Sequence, residues 1–387
     1  MKSNYKKIGD YIRLVDERNE ALKVQQLLGL SISKQFIPSV ANIIGTDMEN
    51  YKIIRRNQFA CSTMQVRRDK KMPVALLQEV DEAIISQAYP IFEVKDEKEL
   101  LPEYLMMWFT RSEFDREACF NAVGGVRGSL EWEDFCEMQL PIPSPAKQKE
   151  IVKEYDAILN RINLNEQLIQ KLEETAQSIY KEWFVKGIDW GNLPEGWVCG
   201  RIEDVAEYIN RGITPSYSEN EGIVILNQKC VRNNSIDFQF SRKHNERDKK
   251  IPTEKLLKQF DVLINSTGDG TLGRVGIVKE LSFPMTVDSH ITILRTNSHN
   301  NPIYVWGNIS GRSEEISNLA EGSTGQTELS RSIFSELPML IPSKDIQDEF
   351  AQILIRLIKH SVLLEQETQK LTELKELLLS KLAKVED

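Results

Sequence analysis

From Ile151 to Trp183 the apolar positions fall alternately four and three residues apart. The seam reads Ile151, Tyr155, Ile158, Ile162, Asn165, Ile169, Leu172, Ala176, Ile179 and Trp183, and Asn165 is its one strongly polar member. This is the spacing of a helix that pairs along its length with another helix. A second stripe, Phe350, Leu354, Leu357, Ser361, Leu364, Thr368, Leu371, Lys375, Leu378 and Leu382, follows the same spacing more loosely, and Ile353, Ile358 and Leu374 widen it. Neither 146–186 nor 343–387 contains Gly or Pro. Ser144 suits an N-cap with Pro145 at the first helical position, and Gly187 suits a stop. Two helices of about 40 residues, each roughly 60 Å long, are expected to pack on each other through Ile151, Tyr155, Ile158, Ile162, Ile169, Leu172 and Ile179 from the first and Leu354, Leu357, Leu364, Leu371 and Leu378 from the second.

These two stretches are copies. Residues 140–184 and 339–383 match without a gap at a constant offset of 199: Pro143 with Pro342, Gln148 with Gln347, Glu150 with Glu349, Gln170-Lys171-Leu172 with Gln369-Lys370-Leu371. The segments before them echo each other more faintly, as in Ile8-Gly9-Asp10 against Ile202-Glu203-Asp204 and Gln58-Phe59 against Gln259-Phe260. Both mix short β-rich runs (Ile223–Leu226, Val262–Ile264, Val275–Val278, Ile291–Leu294) with helical stretches such as Leu101–Asp115, so each is an expected α+β globule. The expected plan is a globule over 1–143, a helix over 144–187, a globule over 188–342 and a helix over 343–387.

Composition removes several classes. Hydrophobic residues make up 41% and charged residues 28% of the 387, the mix of a globular protein. No apolar run is long enough to span a bilayer, and the opening residues lack a signal peptide's apolar core, so a cytoplasmic location is expected. The five cysteines (Cys61, Cys119, Cys136, Cys199, Cys230) are scattered and the four histidines lack ligand spacing, which argues against a disulfide framework or a metal site.

The net charge of −9 argues at first against a nucleic-acid partner, but the cations are unevenly spread. Residues 52–71 hold seven, Lys52, Arg55, Arg56, Arg67, Arg68, Lys70 and Lys71, against Asp69 alone. Residues 242–258 hold Arg242, Lys243, Arg247, Lys249, Lys250, Lys255 and Lys258 against three acids. Such a run is often only a solvated surface, but here each globule carries one.

Gly268-Asp269-Gly270-Thr271-Leu272-Gly273 fits the dinucleotide pattern G-x-G-x-x-G, yet a strand-like run, Val275–Val278, follows where a phosphate-binding helix would have to start. No kinase motif set accompanies it, and Asn301-Pro302-Ile303-Tyr304, one residue from an amino-methyltransferase motif, more simply opens a helix over Ile303–Ile309. Read as a DNA-facing loop, the glycines let backbone N–H groups approach phosphates, and Asn265, Ser266, Thr267 and Arg274 stand beside them. Ser323, Thr324 and Gln326 in the second globule, and Arg127 in the first, sit in similar Gly-rich loops. A plain hairpin turn is the competing reading.

The order of these pieces resembles the DNA specificity subunits of type I restriction–modification systems. The resemblance rests on Gly212-Ile213-Thr214-Pro215, Phe260-Asp261-Val262-Leu263-Ile264, Gly273-Arg274-Val275-Gly276, His290-Ile291, the joins Leu140-Pro141-Ile142-Pro143-Ser144 and Ile341-Pro342-Ser343, and, in the first globule, Leu28-Gly29-Leu30-Ser31-Ile32 and Phe36-Ile37-Pro38-Ser39. It implies two target-recognition domains, each reading half of a split asymmetric site, and an antiparallel pair of spacer helices in a pseudo-two-fold repeat. It also implies two DNA methyltransferase subunits and motor-nuclease subunits as partners, double-stranded DNA as ligand, and no catalytic site in this chain. S-adenosylmethionine, ATP and magnesium would belong to the partners. A complex that only methylates, a nucleotide-binding enzyme built on the Gly268 loop, and a coiled-coil protein without a DNA role are the alternatives.

Overall fold

The run Val262-Leu263-Ile264-Asn265 is buried at every position, as a strand covered on both faces must be. Its side chains alternate between two cores: Val262 and Ile264 face one built around Tyr304, Phe350 and Leu354, while Leu263 faces another with Val287 and Ile293. The computed structural model describes residues 5–39, 48–124, 128–321 and 327–385. It divides into two units, one of Met1–Ile162 with Gln369–Asp387 and one of Asn163–Thr368. Both are mixed helix and sheet. Two long helices, Pro145–Phe184 and Lys344–Lys381, each contribute a part to both units.

The repeat extends into the globules. The first unit has an antiparallel four-stranded sheet in the order Ile12–Val15, Ile91–Val94, Phe59–Cys61, Val74–Leu76. The second has Ala206–Arg211, Ile291–Thr296, Val262–Asn265, Val275–Ile277 in the same order. Each globule is closed by a strand pair at the root of its helix, Tyr5–Lys7 with Gln139–Pro141 and Val198–Arg201 with Pro338–Ile341. The units differ in what is added. The second has a further four-stranded sheet with one parallel pair, Ile223–Leu226 beside Met285–Val287. The first has two two-stranded sheets, Lys52–Arg55 with Glu82–Ile85 and Leu28–Leu30 with Phe36–Pro38.

Within each unit the two long helices run antiparallel. Ile151 and Tyr155 share a core with Leu379 and Leu382, and Ala176, Tyr180 and Phe184 share one with Phe350, Leu354 and Ile358. Of the expected pairing positions, Ile151, Tyr155, Ile162, Leu354 and Leu364 are buried, and Ile158, Ile169, Leu172, Ile179, Leu357, Leu371 and Leu378 are half-buried. Asn165 is buried rather than a gap in the seam, and its Nδ2 donates to Glu367 Oε2 at 3.1 Å. Three details depart from what the sequence predicts. Toward Phe184 the buried stripe advances in steps of four (Ala176, Tyr180, Phe184), because there the helix packs into the globule as well as on its partner. Ile353 and Leu374 do not widen the seam; they are 38% and 49% exposed. The stretch Leu101–Asp115 is also two helices, Pro102–Thr110 and Ser112–Asn121, broken at an extended Arg111.

The duplicated glutamines anchor both helix starts. Gln148 is fully buried, accepts from Leu101 N at 2.8 Å and donates to the carbonyls of Glu99 and Pro143 at 2.8 and 2.9 Å. Gln347 accepts from Asn301 N at 2.8 Å and donates to Asn300 Oδ1 and the Pro342 carbonyl, both at 2.9 Å. Two tyrosines, Tyr104 and Tyr304, donate to the carbonyls of Pro141 and Leu340 in the same way. Truncation would strand buried backbone groups, so Gln148→Ala and Gln347→Ala are each expected to cost about 1–3 kcal/mol, read by chemical unfolding, while surface Gln170→Ala should change little.

Candidate nucleic-acid interface

In each unit the loop joining the last two strands of the four-stranded sheet, Phe59–Cys61 to Val74–Leu76 and Val262–Asn265 to Val275–Ile277, meets the segment that leads to the long helix. In the first, Leu130 N donates to Thr63 O at 2.9 Å, Val123 and Ser129 pair through two backbone bonds, and Arg67 Nη1 donates to Gly124 O at 3.0 Å. In the second, Leu329 N donates to Ser266 O at 2.8 Å, Glu321 and Glu328 pair likewise, and Thr267 bridges to Glu328. The same junction is thus built twice from different sequences. Arg127, Ser323, Thr324 and Gln326, expected at these junctions, lie outside the described residues.

In the first unit the loop is a short helix, Val66–Asp69, entered and left through left-handed residues Gln65 and Lys70. Val66 is buried, so Arg67, Arg68, Lys70 and Lys71 are held at the surface. Arg68 is paired with Asp69 at 2.6 Å, which offsets its charge. Lys70 and Lys71 have no ion pair among the described residues. Gly128 lets Arg67 pack close to the backbone, since an added Cβ would lie 2.8 Å from Arg67 Cδ and displace that side chain.

The loop of the second unit is a hairpin. Val262–Asn265 and Val275–Ile277 pair antiparallel, so no helix N-terminus stands where a dinucleotide phosphate would need one, and that alternative falls. Gly268, Gly270 and Gly273 all have positive φ. A Cβ on Gly268 would lie 2.4 Å from both Gln228 Oε1 and Thr271 Oγ1. Two expected base readers are corrected here. Asn265 and Ser266 are fully buried. Asn265 Nδ2 staples the loop through the carbonyls of Gln228 and Thr271, and Ser266 Oγ bonds Thr292 Oγ1 at 2.5 Å. Both hold the loop's shape and neither faces solvent. Arg274 is half-buried, with Nη2 on Gly270 O at 2.8 Å. What the loop presents is Thr267, Asp269 and an exposed His290, whose Nδ1 lies 2.6 Å from Thr267 Oγ1. The sequence reading passes over His290 as a site residue, since only strand pairing brings it to Thr267.

The cationic runs do not act as blocks. Arg55 and Arg56 sit on a separate sheet and are neutralised: Arg55 by Glu17 and Glu82, both at 2.7 Å, and Arg56 by Asp81 at 3.0 Å. Arg242 stacks over Tyr217 at 3.4 Å, and Lys243 and Lys249 cap the carbonyls of Asn220 and Thr214. Arg247 lies 4.0 Å from Glu221, while Lys250 is exposed. No group of residues suited to a metal ion occurs among the described residues, and none of the described helices is long and apolar enough to cross a membrane.

Comparison with known proteins places this arrangement. The model of the type I restriction modification DNA specificity domain matches residues 66–174 and 194–376. The chain is 18% identical over 379 residues to the HindI specificity subunit of Haemophilus influenzae, covering 79% of this chain and 81% of that one. It is 24% identical over 313 residues to the MjaIX specificity subunit of Methanocaldococcus jannaschii, covering 73% and 68%. The solved S subunit of a type I restriction-modification system from M. genitalium superposes with a TM-score of 0.59 at 14% identity, over 99% of this chain and 96% of that one.

Proposed function

This chain belongs to the type I restriction modification DNA specificity family, and from that premise we propose that each unit reads one half of a split, asymmetric DNA site through its loop junction. Members of the family are DNA-recognition subunits without catalysis of their own. The observation that carries the reading is the duplicated junction: equivalent backbone bonds, at Thr63 with Leu130 and Ser266 with Leu329, hold loops of unrelated sequence. A duplicated frame with divergent tips is what two reading heads with different targets require. The long helices set the distance between half-sites, roughly 10 bp between centres if both lie on one face of B-DNA. They also offer the surface on which two methyltransferase subunits assemble, with motor-nuclease subunits joining them. S-adenosylmethionine, ATP and magnesium then belong to those partners.

Phosphate contacts carry the affinity, and Lys70 and Lys71 are the cations best placed to make them. Converting both to glutamine is expected to weaken binding to specific and unrelated duplexes alike. The slope of log K against log salt should fall by about 1 for each phosphate left without its cation. An unchanged slope would remove this loop from the interface.

A further inference from the structure

We infer that Phe120, flanked by Met64 and Val123, is an apolar wedge that enters the base stack of the half-site read by the first unit; the inference rests on the DNA-reading function proposed above. The helix Ser112–Asn121 buries Phe114, Asp115 and Ala118, and Ala122 continues that stripe. Phe120 points elsewhere and is 83% exposed, with Val123 at 61% and Met64 at 51%. All three lie on segments that the junction ties together. Cys119 Sγ lies 3.8 Å from Val66 O, Val123 pairs with Ser129, and Thr63, next to Met64, accepts from Leu130.

The surroundings suit a polyanion. Arg67 adjoins Gly124, and Lys70 and Lys71 follow on the same loop. On the helix itself, Arg116 is exposed and pairs with Glu113 at 3.2 Å, and Glu117 is exposed beside it. An exposed aromatic on a junction that carries Arg67, Lys70 and Lys71 matches side chains that slip between base pairs and kink a duplex. The second unit lacks the device: Thr267, next to Ser266, stands where the first unit has Met64, and the helix before the equivalent junction, Ser313–Asn318, carries no aromatic residue. Only one half-site should therefore be unstacked.

The test uses the full chain and a duplex bearing its methylated sequence, with 2-aminopurine placed at successive steps of both half-sites. Wild type is expected to raise the fluorescence several-fold at one step of one half-site. Phe120→Ala should abolish the rise and Phe120→Leu retain part of it, with thermal unfolding unchanged. Should Phe120→Ala fail to fold, Met64→Ser with Val123→Ser serves in its place. An equal rise in the alanine variant, or no rise with wild type bound, overturns the wedge. Failure of wild type to prefer any duplex overturns the DNA-reading proposal itself.

Discussion

Replacing Lys279 by alanine is expected to destabilise the second unit by about 3–5 kcal/mol, the range for removing one partner of a buried ion pair. Lys279 follows the central hairpin, and its side chain is 6% exposed. Its Nζ lies 2.7 Å from Glu365 Oε1 and 3.5 Å from Glu173 Oε1, one carboxylate from each long helix. Ser235 Oγ donates to the same Glu365 oxygen, and Gln366 Nε2 donates to neighbouring Glu280 at 2.9 Å. Without the lysine, two carboxylates remain with no cation between them. The effect should depend on pH. Burial, assisted by the charge of Glu365 and opposed by Lys279, pushes Glu173 up to about 7 from its ordinary 4.5. A carboxyl whose folded pKa is raised weakens the fold above that pKa and relieves it as pH falls toward the unfolded value. The alanine variant removes the opposing charge, so its deficit should be largest at pH 8 and shrink at pH 5.5. Chemical unfolding of the full chain at both values reads this, and Glu173→Gln should flatten the wild-type dependence. A deficit equal at both pH values would mean that Glu173 does not titrate as described.

The contrast between what sequence shows and what it hides follows from the range of the interactions. The helices, their repeat and the strands Ile223–Leu226 and Val262–Asn265 are written in local periodicity, and the structure has them there. The glycines of the second loop are legible because positive φ at Gly268, Gly270 and Gly273 needs that residue type. Charge is not legible in the same way. Arg55 meets Glu17 and Glu82, 38 and 27 residues away in the chain, so a run that reads as seven cations presents far fewer. Asn265 and Ser266 look like loop residues because they end an apolar strand, but pairing runs through Asn265 and Ser266 N bonds His290 O, and both are buried. Phe120 lies beyond the helical stretch legible in the sequence, on the helix Ser112–Asn121, and tertiary packing leaves it uncovered.

If the two units read different halves of one site, exchanging one of them changes one half alone. The backbone bonds Ile8 N to Met138 O and Ile202 N to Leu337 O mark equivalent roots of the two globules, so a globule can be exchanged at its root with the helices kept. The measurement is a genome-wide map of methylated bases in cells that carry this chain with its methyltransferase partners. A second map comes from cells in which residues 8–138 are replaced by the equivalent segment of another family member. The account predicts a wild-type motif in two unlike parts separated by unread positions, and an exchange that rewrites one part while leaving the other and the spacing intact. A palindromic wild-type motif, or an exchange that alters both parts or neither, would contradict it.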